Sequence, residues 1–79
     1  MHLEDRYRVG IVYFISDGEY IKIGYTFNLL DRLASLQCGN AKTLFVKDKY
    51  YCQFPFEEEQ YLHKKYKNQR MRGEWFNIA

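Results

Sequence analysis

Residues 10–26 read GIVYFISDGEYIKIGYT. Two segments rich in apolar and β-branched residues flank Asp17-Gly18, and such a dipeptide between β-forming runs is a strong hairpin signal. A two-residue turn there predicts a register. Ser16 faces Glu19, Ile15 faces Tyr20, Phe14 faces Ile21, Tyr13 faces Lys22, Val12 faces Ile23, and Ile11 lies beside Gly24. One face then carries Val12, Phe14, Ile21 and Ile23, and the other carries Tyr13 with Lys22. A slip of one residue would mix the two sets, so a hydrophobic core should hold the register firmly.

Downstream, Asn28 is placed to cap a helix over residues 29–38, with Asp31 at its third position and Gly39 as a C′ residue. Its apolar stripe is Leu29, Leu33 and Leu36. Residues 44–52 read as a third strand. Pro55 breaks the chain and starts a second helix over 56–68, with Leu62 and Tyr66 on its buried side. The aromatic pair Trp75-Phe76 is available to close the core. The order β-β-α-β-α predicts an α+β (mixed α/β) fold, a small three-stranded antiparallel sheet flanked by helices, as a single domain over residues 1–79.

At 79 residues the chain can bury only about 60% of its unfolded surface, so every charge placed near the core matters. The net charge of +2 is too small to imply a nucleic-acid partner by itself. Its distribution is more informative. No acid lies between Gln60 and Gly73, a stretch holding Lys64, Lys65, Lys67, Arg70 and Arg72, while Glu57, Glu58 and Glu59 gather just upstream. Cys38 and Cys52 lack metal-ligand spacing and read as reduced thiols. No apolar run approaches the ~20 residues of a membrane span. Residues 1–8 are too polar for a signal peptide, and the cytoplasm is the expected compartment.

Several polar residues sit where a plain core would not put them. Arg32 shares a helical face with Leu29, Leu33 and Leu36, and Glu59 shares one with Leu62, His63 and Tyr66. Either Arg32 reaches water along its stem and Glu59 is one acid of three near a helix N-terminus, or each charge has a task. Tyr13 opposite Lys22 is open to two readings. The lysine covers the ring, or its ammonium favours the phenolate and makes Tyr13 a general base. His63, one turn after Glu59, is weak evidence for a metal without a third ligand.

Taken together, Val12-Tyr13-Phe14-Ile15, Ile21-Lys22-Ile23-Gly24-Tyr25-Thr26, Asn28-Leu29, Arg32-Leu33 and Leu36-Gln37-Cys38-Gly39-Asn40 resemble the GIY-YIG nuclease superfamily. The later Glu59-x-x-Leu62-His63 and Arg70-x-x-Gly73-Glu74-Trp75-Phe76 look like its small phage-type branch. The resemblance spans residues 10–78. It implies a metal-dependent endonuclease acting on nucleic acid, with DNA the first choice. It also implies one divalent ion, Mg²⁺ or Mn²⁺, held by Glu59. Tyr13 would activate water and Arg32 would support the scissile phosphate. Lys22 stands where the second motif has tyrosine and is assigned to assist Tyr13. Asn77 is a weak counterpart of the late asparagine. Gly24 and Tyr25 would lie along the substrate, and Lys64, Lys65, Lys67, Arg70 and Arg72 would form a phosphate surface. A catalytically silent binding module, or an inhibitor or regulator of another protein, fits the same scaffold. A protein partner or homodimer could supply targeting.

Overall fold

The computed structural model describes residues 8–78. The reading of the N-terminal segment as too polar for a signal peptide concerns residues that, Arg8 apart, lie outside the described ones. Strand β1 is Gly10–Ser16, β2 is Ile21–Thr26, helix α1 is Leu29–Cys38 and β3 is Phe45–Cys52. Helix α2 is Pro55–Lys65, followed by a 3₁₀ turn at Lys67–Gln69, β4 at Arg70–Arg72 and β5 at Trp75–Phe76. Among the described residues the strands form one sheet in the order β3-β1-β2-β5-β4, with every neighbouring pair antiparallel. The α+β class is as expected, but the sheet has five strands, not three. The two extra strands are three and two residues long, too short to carry a period-2 pattern. Helix α2 is also shorter than expected, because the chain tightens into the 3₁₀ turn after Tyr66.

The hairpin register differs from expectation. Tyr13 pairs with Gly24, Phe14 with Ile23, Ile15 with Lys22 and Ser16 with Ile21. Four residues, Asp17 to Tyr20, make the connection. A two-residue type I′ turn needs positive φ at both central residues. Gly18 has φ +96°, and no described residue other than glycine has positive φ. Asp17 instead organises a wider loop. Its Oδ1 accepts from the amides of Glu19 at 2.8 Å and Tyr20 at 2.7 Å, and its own N–H donates to the Tyr20 carbonyl at 3.2 Å.

The register is offset by two residues, one full pleat, so the sorting into faces survives while the partners change. On one face Val12, Ile21, Ile23 and Phe76 are buried with Leu62 of α2, and Phe14 and Tyr66 pack against them. On the other, Tyr13, Ile15 and Leu44 are buried against Leu29, Leu33 and Leu36 of α1 and against Trp75. The helices therefore cover opposite faces. Asn28 caps α1 as expected, its Oδ1 accepting from the Asp31 amide at 3.1 Å. Gly39 follows with φ −98°, so the expected left-handed C′ conformation is not formed. Among the described residues no helix is long and apolar enough to cross a membrane.

Candidate functional site

A cleft of about 440 Å³ is lined by Tyr13, Tyr25, Thr26, Phe27, Arg32, Glu59 and Glu74. These side chains come from both helices and three strands or their ends. They meet at the edge of β2, because β5 pairs with β2 at Ile21 and Lys22 and, among the described residues, no strand pairs with its Gly24–Thr26 end on that side. Side chains from the two sheet faces can converge around that open edge.

Tyr13 is fully buried, and its ring lies over Gly24. A Cβ at Gly24 would collide with the Tyr13 hydroxyl and ring, so only glycine lets the tyrosine cross the strand to reach the cleft. The Arg32 Nε–H donates to the Tyr13 hydroxyl oxygen at 3.2 Å. Arg32 thus spends one donor inside the protein, and its four terminal N–H bonds are the donors a phosphate could use. Burial raises the Tyr13 pKa above its ordinary value, although the Arg32 hydrogen bond and charge act in the opposite sense.

Lys22 does not support Tyr13 as its expected position implied. The four-residue loop pairs it with Ile15 rather than Tyr13. Its ammonium lies 3.2 Å from Glu74 Oε1 and 5.5 Å from the centre of the Trp75 ring. The expected lowering of the Tyr13 pKa by a neighbouring ammonium is therefore overturned, both by the register and by the direction of the shift. Gly24, expected beside Ile11, faces Tyr13 instead.

Glu59 is 6% exposed, near the middle of α2. Its Oε1 accepts from the Gln60 side-chain amide at 3.0 Å. Burial raises its pKa first and the Glu74 charge adds to that, while His63, the Gln60 bond and Lys22 act against it. Glu59, His63 and Glu74 each present one ligand atom, and these atoms lie within 4.8 Å of one another. His63 Nε2 is 2.8 Å from the Ile23 carbonyl oxygen. A carbonyl only accepts, so Nε2 carries the proton and Nδ1 keeps the free lone pair. Two carboxylates and an imidazole so placed are a donor set that could hold a metal ion.

Of the residues expected at the site from the sequence, Tyr13, Tyr25, Arg32 and Glu59 line the cleft, and Lys22 and Gly24 are not among its lining residues. Glu74 appeared there only within a motif, and His63 only as a weak ligand. The i, i+4 spacing of Glu59 and His63 was a usable signal, but Glu74 becomes their neighbour through the β2–β5 pairing, which no local pattern announces. Thr26 and Phe27 were missed as lining residues. Lys64, Lys65, Lys67, Arg70 and Arg72 are all exposed and lie outside the cleft lining. Asn77 is exposed too, its amide bound to the Gln69 carbonyl at 2.8 Å.

No curated protein and no solved structure matches the chain. A family model described as the T5orf172 domain matches residues 10–79, from the first strand through the last residue. The chain belongs to the T5orf172 domain family.

Proposed function

We propose that this domain is an endonuclease that hydrolyses phosphodiester bonds of nucleic acid, DNA in the first instance, with the help of one divalent ion. The observation that carries the reading is the meeting of Arg32, Tyr13, Glu59 and Glu74 around a single cleft, with a His63 ligand atom within 4.8 Å of the two carboxylates. The resemblance of the Tyr13, Gly24, Arg32 and Glu59 motifs to GIY-YIG nucleases supports the same chemistry.

Glu59, with His63 and Glu74, would hold Mg²⁺ or Mn²⁺. Bound there, such an ion would supply charge neutralisation for the phosphate and its leaving oxygen. Arg32 binds and orients the phosphate through its terminal nitrogens. Tyr13 has two tasks. Its hydroxyl oxygen fixes the guanidinium through Nε, and its proton is lost to make a base for the attacking water. Since burial holds that proton more tightly, the second task is favoured only as the pH rises. Lys22 acts through its ion pair with Glu74, not on the phenol.

The direct test is a plasmid-nicking assay with Mg²⁺ or Mn²⁺, run beside Glu59→Ala. Divalent-dependent nicking by the wild type, lost to background in the variant, is the expected result. Persistent nicking in the variant would point to a contaminant. Binding without nicking would make the domain a silent nucleic-acid module.

A further inference from the structure

The cleft has a second character besides its charged groups: part of its wall is aromatic. Tyr25 and Phe27 line it, and the exposed Phe56, at the start of α2, packs against Tyr25. We propose that this wall stacks on an unpaired nucleobase beside the phosphate at Arg32, so that the substrate is a single-stranded or locally unpaired polynucleotide rather than a continuous duplex. The inference rests on the nuclease reading above and narrows its substrate.

Tyr25 meets Phe27 with centroids 6.2 Å apart at 86°, and Phe56 at 6.1 Å and 76°. Such edge-to-face contacts fix the rings relative to one another without a face-to-face stack. Phe27 is 37% exposed and Phe56 52% exposed, whereas the aromatic residues of the core, Tyr13 and Phe76, are fully buried. The Arg8 guanidinium lies 4.1 Å from the Phe27 centroid, which adds positive charge to the aromatic rim. Rings interleaved with guanidinium groups beside a phosphate donor are the arrangement that grips single strands, since every base offers a π face and every linkage a negative charge.

Within a duplex both faces of a base are covered by its neighbours, and stacking on a protein ring requires the base to leave the helix. The dimensions agree. A cleft of about 440 Å³ admits a small ligand such as one nucleotide. A docking site for a second protein would serve the rings equally well. Their continuity with Arg32 inside one cleft favours the base.

The test uses the full chain and an oligonucleotide carrying 2-aminopurine, free or annealed, with binding read by fluorescence in EDTA and cleavage read separately with Mn²⁺. The single strand should bind at least about tenfold more tightly than the duplex, with the 2-aminopurine signal quenched. Phe56→Ala and Tyr25→Leu should each weaken that binding by roughly 5- to 100-fold, and Tyr25→Phe should keep it. Phe45→Ala, which removes a comparably exposed ring at the start of β3, opposite Ser16 at the end of β1, should have no effect. Circular dichroism checks that each variant is folded. Equal binding of duplex and single strand, or full binding by folded Phe56→Ala and Tyr25→Leu, overturns the inference and leaves the nuclease reading standing if cleavage persists. If no nucleic acid is bound or cut, and Phe56→Ala instead abolishes self-association, both readings fall and the rings are a protein contact.

Discussion

At Gly24 the sheet has no room for a methyl group. The cross-strand partner of Gly24 is Tyr13, whose ring covers the glycine on its way to Arg32. Gly24→Ala should therefore cost about 1–3 kcal/mol, the usual range for overpacking a closed site. A double variant with Tyr13→Leu should recover part of that loss in urea unfolding, because the colliding atoms are gone. Purely additive losses would mean that the ring does not set the requirement. Tyr13 also carries a prediction about pH. Burial raises its pKa, so the phenolate form gains population only as pH climbs toward and beyond the ordinary tyrosine value. If Tyr13 is the base, kcat at saturating Mn²⁺ should rise steadily from pH 7 to 9.5, and Tyr13→Phe should flatten that rise. A wild-type profile that is level over the range would restrict Tyr13 to orienting Arg32. The faces on which Tyr13 and Arg32 lie were readable from alternation and helical spacing. Their partners were not, because the Asp17 side chain selects a four-residue loop where the dipeptide suggested two.

Among the elements, helix α1 was the most legible. Its boundaries follow from the Asn28 cap and the spacing of Leu29, Leu33 and Leu36, all local features. Strands β4 and β5 were the least legible. They exist because β2 offers an edge for Trp75 and Phe76 to pair with, and the burial of Phe76 secures them. That pairing also brings Glu74 to the cleft, so the missing strands and the missing ligand have one cause. The end of α2 and the segment after it present Lys64, Lys65 and Lys67 to solvent without placing them in the cleft. Such a surface should add affinity without selecting sequence. Neutralising the three lysines to glutamine should lower the slope of log K against log salt by about 2–3, with each lost phosphate contact worth ~0.7–0.9. Cleavage of already bound substrate should stay close to wild type. An unchanged slope would reduce the segment to a solvated helix face.

For the whole molecule, the buried carboxyl of Glu59 sets a tension between stability and the proposed chemistry. Its folded-state pKa lies above the ordinary value because the charge is desolvated and faces Glu74. A raised carboxyl pKa favours folding while the group is protonated. That contribution is complete below the unfolded pKa and is lost as pH rises through the folded one. The ion-free protein therefore loses this contribution as pH climbs through the raised value. Glu59→Gln should raise Tm at pH 7.5 by a few degrees, since ~1 kcal/mol moves the Tm of so small a domain by about 4–8 °C. The gain should shrink toward pH 4, and Mn²⁺ should stabilise the wild type more than the variant. Equal Tm values at both pH values would mean that Glu59 is better compensated than its surroundings indicate.

The cleft draws on chain positions from 13 to 74, and this spread has a consequence for engineering. The exposed link between α1 and β3, residues 41–43, divides the lining cleanly. Tyr13, Tyr25, Thr26, Phe27 and Arg32 lie before it, and Glu59 and Glu74 lie after it. A polypeptide cut at that link yields two halves, each with an incomplete set of groups. Because β3 pairs along the length of β1, the halves have a broad complementary seam through which to find each other. The domain is thus laid out as a ready-made split reporter, whose two pieces regain a common cleft only when they are brought together.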